Sequence, residues 1–292
     1  MLYRIKHITK YQYHNVVNQS YSEVRLTPKN TMFQNCVEKI LSIQPQLHTL
    51  SERVDFFDNI VHSFSICQPH KSLEIIAEST VSVLPRVNFA YEQGTSTWEN
   101  MKGKLKTFDP TLLDVKQYML ASPNLLPTSA ITQFATNIFD KEPILLQAVK
   151  KLMQTIFQEF EFKAGSTTIA TPIQEVMKQR KGVCQDFANV AIACIRAMGL
   201  AARYVSGYLE TIPPLGKAKL VGTDASHAWV SVYIPEYGWV DFDPTNNIFV
   251  NTQHITLGWG RDYADIAPVR GVVYSEGKQL METSVDVVRV AG

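Results

Sequence analysis

The chain has 292 residues, of which 45% are hydrophobic, 10% aromatic and 19% charged, enough to bury one large core or two ordinary ones. Fourteen Gly and fourteen Pro are near average and exclude collagen-like and disordered classes. Twenty-eight Lys and Arg against 27 Asp and Glu leave a net charge of +1; with no run of like charge, neither nucleic acid nor a membrane is indicated as a partner.

Residues 1–83 read as a succession of short strands. LYRIKHITKYQYH, YSEVRLTP, EKILSIQP, RVDFF, IVHSFSI and SLEIIAESTVSVL are rich in β-branched and aromatic residues with partial alternation. Asp58-Asn59 marks a tight hairpin turn. Such a block predicts an antiparallel sheet or sandwich. Its histidines, His7, His14, His48, His62 and His70, lack acidic or thiol companions and are read as ordinary sheet or surface residues. Residues 84–107, with Gly94, Thr95, Ser96 and Gly103, are more polar and read as a linker.

From residue 108 the period becomes helical. Pro110 opens TLLDVKQYML, Pro127 precedes the start of AITQFATNIF, and Pro143 begins ILLQAVKKLMQTIFQEF. Proline in a first turn, followed by apolar residues three and four apart, is a helix-start pattern. PIQEVMKQR is a further short helix leading into Lys181-Gly182-Val183-Cys184.

Cys36, Cys67, Cys184 and Cys194 are too few and too scattered for a disulfide framework. No CxxC, HxxxH or HxH occurs, so neither a metal nor another cofactor is expected. The N-terminus has no signal-peptide apolar region, and no uncharged apolar run approaches the roughly 18 residues of a membrane span. The expectation is a reduced, cytoplasmic protein with free thiols.

The stretch 182–199, GVCQDFANVAIACIRAMG, is apolar on most faces and ends at Gly199 as a C′ cap. It predicts a four-turn helix buried nearly all round, with Gly182 allowing a tight bend before it. Cys184 then stands at the positive end of the helix dipole, where free backbone N–H groups favour a thiolate and can receive an oxyanion. Cys36, Cys67 and Cys194 read as packing residues.

Residues 226–247, SHAWVSVYIPEYGWVDFDPTNN, read as two strands joined by a Pro- and Gly-containing turn. His227 opens the first strand and Asp243 closes the second, so both lie at one end of the ladder. A thiol needs an imidazole base, and the imidazole needs an acceptor to fix its tautomer. Cys184, His227 and Asp243 supply these roles in chain order.

Strand parity makes the expectation specific. Side chains alternate faces, so pairing Ile234 with Trp239 would set His227 and Asp243 on opposite faces. Pairing Ile234 with Gly238 around a three-residue loop sets Asp243 opposite Trp229 and diagonal to His227. The hairpin is therefore expected to have an odd-length loop or a bulge. Asp241 has the same parity but lies further from His227 and reads as a solvated strand residue. Asp186 reads as a carboxylate favoured by the helix dipole. Asp224 is near in sequence but is given no role.

Together, GVCQDFANVAIACIRAMGLAARYVSGYL and SHAWVSVYIPEYGWVDFDPTNN resemble the transglutaminase-like superfamily of papain-type cysteine enzymes. The family's cysteine, histidine and aspartate motifs match at Cys184, at His227 before Ala-Trp, and at Asp243 of Asp-Pro-Thr. WGRDYADIAPVRGVVY, residues 259–274, resembles a segment of bacterial members, and the N-terminal strands resemble the β-rich domain that precedes their catalytic core. The resemblance implies an α+β fold: an N-terminal antiparallel β domain, then a core whose nucleophile helix packs on an antiparallel sheet over 108–292. It also implies acyl transfer on a protein or peptide substrate through a thioester. Hydrolysis by a cysteine protease is the leading expectation, with glutamine transamidation or deamidation as the alternative and a non-catalytic peptide-binding module as the third. Arg261, Asp262, Tyr263 and Asp265 are expected either to shape the cleft or to form a structural ion-pair and turn cluster.

Overall fold

In β1 (Leu2–Val17) the odd-numbered side chains Tyr3, Ile5, His7 and Thr9 are buried, while Arg4, Lys6 and Lys10 point to solvent. That alternation commits one face of the strand to a core. The outward lysines pair across to the next strand, Lys6 to Glu78 at 3.1 Å and Lys10 to Glu74 at 2.7 Å, which fixes the register from the solvent side. The computed structural model describes residues 1–86, 96–122, 124–211, 225–235, 237–274 and 277–290. Asp224 and part of the expected linker lie outside the described residues.

Five further strands follow: β2 (Gln19–Val24), β3 (Gln34–Gln44), β4 (Thr49–Val54), β5 (Ile60–Ile66) and β6 (His70–Val83). The predicted strand over RVDFF ends at Val54. Asp55–Asn59 form the hairpin loop instead, in which Asp58 takes φ 63° and the Asp55 carboxylate accepts the Phe57 and Asn59 N–H groups.

The helical region comprises α1 (Trp98–Lys106), α2 (Leu113–Lys116), α3 (Ser129–Phe139), α4 (Leu145–Glu159), α5 (Ile173–Gln179) and α6 (Cys184–Ala197), with β7 (Glu161–Phe162) and β8 (Lys181–Gly182) as a short parallel pair. Thr97 and Thr128 cap α1 and α3 through their hydroxyls. The expected TLLDVKQYML helix is a single α turn between two 3-10 turns. The expected linker over 84–107 contains α1, whose Trp98, Met101 and Leu105 are core residues.

The remaining strands are β9 (Ala202–Leu209), β10 (Ala225–Ile234), β11 (Gly238–Asp243), β12 (Ile248–Phe249), β13 (His254–Gly260), β14 (Val269–Tyr274) and β15 (Gln279–Val290). They divide between two destinations. A five-stranded antiparallel sheet, β12-β11-β10-β9-β13, receives α6, which packs on β9 and β10 with α3, α4 and α5 against its other sides. Strands β14 and β15 leave that unit and pair with β2 and β1, giving the sheets β14-β2-β5-β4 and β15-β1-β6-β3. The sequence-based span 108–292 therefore runs past the end of the five-stranded unit. Nothing in the alternation of residues 269–290 says which strand they will join, because an edge accepts any strand of matching pattern.

The β region and the five-stranded sheet share a buried seam. Tyr208, Ile255 and Leu257 pack in one cluster with Tyr3, Leu73 and Val285. Edge strand β13 is capped by side-chain amides. The Gln34 Oε1 accepts the Thr256 N–H and its Nε2 donates to the Thr256 carbonyl. Asn59 holds Trp259 the same way, at 3.0 and 2.8 Å. These latches occupy edge groups that would otherwise pair with another chain. Among the described residues no helix is long and apolar enough to cross a membrane.

His7 sits within the seam, only 2% exposed, between the Tyr208 hydroxyl and Thr9 Oγ1, each at 2.9 Å. Burial lowers its pKa from 6.5 to about 4. The unfolded chain takes up that proton first, so the His7 contribution to stability declines as pH falls from about 6.5 toward 4, by up to about 3 kcal/mol. Urea midpoints at pH 7 and pH 4.5 should show a smaller acid loss for His7→Gln than for the unsubstituted chain; equal losses would refute this.

Candidate active site

Cys184 is the first residue of α6, ahead of the first backbone acceptor inside the helix, so its N–H and that of Gln185 point out of the helix end. Asp186, 4% exposed, fixes that end. Its Oδ2 accepts the Val183 N–H at 2.8 Å and the Thr167 hydroxyl at 2.6 Å. The carboxylate thus does more than favour the dipole. It also explains Gly182 better than a tight bend does: a Cβ there would lie 2.7 Å from the Cβ and Oδ2 of Asp186, so only glycine lets the cap close. At the other end Gly199 takes φ 82°, as the C′ reading expects. Arg196 donates to the carbonyls of Tyr118, Ala202 and Arg261, pinning the helix to the sheet.

Around the helix, Phe187, Val190, Ile192 and Ile195 are buried, each worth roughly 1.5–3 kcal/mol of apolar burial. Cys194 lies among them, fully buried, its thiol pKa pushed up to about 12 by burial, which is the behaviour of a packing residue. Cys67 is exposed, Cys36 and Cys184 are half-buried, and all four thiols are free.

In the β10–β11 hairpin Ile234 pairs with Gly238, and the register runs through Val230 opposite Phe242. The loop therefore has odd length, and continuing the register sets Asp243 opposite Trp229. His227 and Asp243 share a face, and His227 Nε2 lies 2.8 Å from Asp243 Oδ2. With Nε2 so engaged, Nδ1 is the nitrogen left for Cys184, which lines the same cavity as His227.

Both members of the pair are buried, His227 6% exposed and Asp243 0%. Burial opposes a charge on the imidazole, but the hydrogen bond to Asp243 and the neighbouring Asp243 and Cys184 groups outweigh it and raise the His227 pKa to about 10. Burial likewise opposes the Asp243 carboxylate. Donation from His227, His254 and Asn246 wins and holds its pKa well below the usual range. An imidazole of such proton affinity beside a thiol can take the thiol proton.

Sequence reasoning missed two residues here. His254 opens β13 and places Nε2 3.2 Å from the same Asp243 Oδ2. Its Nδ1 accepts the Asn251 N–H at 3.3 Å, and burial lowers its pKa, so it serves Asp243 as a neutral donor. Asn246 donates Nδ2–H to that oxygen at 2.7 Å, and the Thr245 and Asn246 N–H groups bind Oδ1. The only sequence hint for Asn246 was its place in the Asp-Pro-Thr-Asn turn; His254 has no local companion to announce it.

Trp229, fully buried, packs edge-on to His254 at 5.4 Å and lies 6.1 Å from His227. It is seated on Gly207, where a Cβ would lie 2.2 Å from the Ile255 carbonyl and 2.4 Å from the Trp229 ring. Among the described residues, His227, Asp243 and His254 also form the group able to offer a metal three ligand atoms, all within 4.8 Å of one another. Both histidine Nε2 atoms already bond one carboxylate oxygen, so a cation would have to replace both of those hydrogen bonds.

Asp241 is corrected from a solvated residue to a buried one. Arg86 pairs with it at 2.6 Å, and Arg203 adds a second positive charge. Arg261 and Asp265 pair with each other at 2.9 Å, and Asp262 accepts the Ala264 N–H, so those three build a turn. Tyr263, between them, lines the cavity that holds Cys184 and His227, a space of about 700 Å³ that also touches β1 and β15.

The family pattern described as the transglutaminase-like superfamily matches residues 132–244, and that of the bacterial transglutaminase-like N-terminal region matches residues 3–82. The chain is 40% identical over 302 residues to an uncharacterized protein of Mycobacterium bovis, spanning 99% of this chain and 93% of that one. It is 30% identical over 105 residues to the protein-glutamine gamma-glutamyltransferase of Pseudomonas aeruginosa, covering 33% of this chain and 16% of that one. A solved candidate cysteine protease from Cytophaga hutchinsonii superposes with a TM-score of 0.73 at 20% identity, covering 100% of this chain and 92% of that one, a likeness of fold.

Gly182→Ala should push Asp186 off the helix end, lowering stability by about 1–3 kcal/mol and slowing iodoacetamide alkylation of Cys184. Gly103→Ala, inside α1 with nothing within 4 Å of the added carbon, should instead stabilise by about 0.5–1 kcal/mol. Urea titration of both variants checks the pair; a Gly182→Ala chain as stable as the parent would remove the proposed constraint.

Proposed function

The chain belongs to the transglutaminase-like superfamily, and from that premise we propose that it is a cysteine-dependent hydrolase of amide or peptide bonds. The observation that carries this reading is the His227–Asp243 hydrogen bond at 2.8 Å, with Cys184 at the head of α6 facing the same cavity of about 700 Å³ as His227.

In the proposed reaction His227 takes the Cys184 proton and the sulfur attacks the substrate carbonyl. The oxyanion forms at the N-terminus of α6, where the Cys184 N–H is a donor. The tetrahedral species collapses to a thioester as His227 returns its proton to the leaving amine. Water, deprotonated by His227, then attacks the thioester and frees the acid and the thiol. Asp243 holds the imidazole with Nδ1 toward sulfur and stabilises its positive charge. A cytoplasmic setting belongs to the same proposal.

Similarity to a glutamyltransferase supports a second reading, in which the acyl donor is a glutamine side chain and a primary amine replaces water. A glutamine peptide with and without a primary amine separates the two: amine incorporation would favour transamidation, and ammonia release alone deamidation.

Cys184→Ala should abolish turnover with the fold intact by circular dichroism. Equal rates for the two chains would end the proposal, and no turnover by either would favour a binding module. Asp243→Asn should retain more activity than Cys184→Ala while losing roughly 10²- to 10⁴-fold in kcat. Alkylation of Cys184 should remain fast at pH 6, where an ordinary thiol of pKa about 8.5 is slow.

A further inference from the structure

One wall of the cavity beside Cys184 does not come from the five-stranded unit. Seven of its nineteen lining residues lie on β1 and β15, whose register sets His7 opposite Val285, Thr9 opposite Thr283 and Tyr11 opposite Met281. These cross-strand pairs succeed one another along the strand direction about 7 Å apart, from the buried His7 end to an end where Met281 and Thr283 are exposed. The cavity volume, about 700 Å³, is that of a cleft able to bury a short stretch of chain.

Among the described residues that line this cavity, none is Asp, Glu, Lys or Arg. What the lining offers is hydroxyl, amide, aromatic and aliphatic groups. Its two histidines differ in charge. His227 pairs with Asp243, and His7 stays neutral near pH 7 because burial lowers its pKa to about 4. A charged side chain entering beside the buried His7, Thr9 and Val285 would give up water without gaining a countercharge.

We propose that the paired first and last strands, β1 and β15, form the substrate-selecting wall of the Cys184 cleft, which takes an uncharged peptide segment and rejects one with charge flanking the reacting carbonyl. The proposal rests on Cys184 as the reacting residue but concerns what binds against it. Rejection by missing partners, rather than by shape, is how such a surface would discriminate.

The test measures protection of Cys184 from iodoacetamide in the full chain by three short glutamine peptides, flanked by Ser and Val, by Asp, or by Lys. Each protection ratio is taken against the same chain without peptide. The neutral peptide should protect at least about tenfold better than either charged one. Thr283→Asp should weaken the neutral peptide and bring the Lys peptide up to or above it, and Met281→Lys should do the same for the Asp peptide. Both positions are exposed, so the substitutions spare the core. Equal protection by all three peptides, no protection by any, or an unchanged ranking in both variants would overturn the proposal. A Cys184 that alkylates at pH 6 no faster than an ordinary thiol would count against catalysis instead, while the protection ratios would still report the wall.

Discussion

A carboxylate with no access to solvent must be surrounded by donors, and the buried Asp243 imposes that requirement on several elements at once. Two backbone N–H groups reach Oδ1, and the side chains of His227, His254 and Asn246 reach Oδ2. The donors come from β10, from the turn after β11 and from β13, so satisfying one charge ties together strands that are not all neighbours in the sheet. Left short of partners, such a group would neutralise or unfold its surroundings. Fully served, it stays ionised and raises the proton affinity of the imidazole next to it.

The supports behind this group are steric as much as polar. Trp229 closes over both histidines only because Gly207 offers no Cβ, and the end of α6 closes over Asp186 only because Gly182 offers none. The β13 edge that carries His254 is held in turn by Gln34 and Asn59 from the β region. Residues far from Cys184 therefore decide whether the donors around Asp243 stay within reach.

Much of this could be read from residue order and parity. The odd-length hairpin loop followed from asking that His227 and Asp243 share a face, and α6 followed from an apolar run bounded by two glycines. What could not be read depends on contacts between distant segments. His254 stands in NTQHITLG with no acidic or thiol neighbour, Asp241 is buried against an Arg86 that arrives from 155 residues away, and β14 and β15 look like any other alternating strands. Local pattern specifies which face a strand hides but not which neighbour hides it.

The pairing of β1 with β15 joins residues 2–13 to residues 279–290, about as non-local a contact as the chain permits, and such contacts form late because loop closure precedes their gain. A polypeptide emerging from the ribosome holds Cys184, His227 and Asp243 well before it holds β15. Until that last strand docks, Cys184 and His227 face a cavity with one side missing, so synthesis through residue 290 is itself the step that closes its wall.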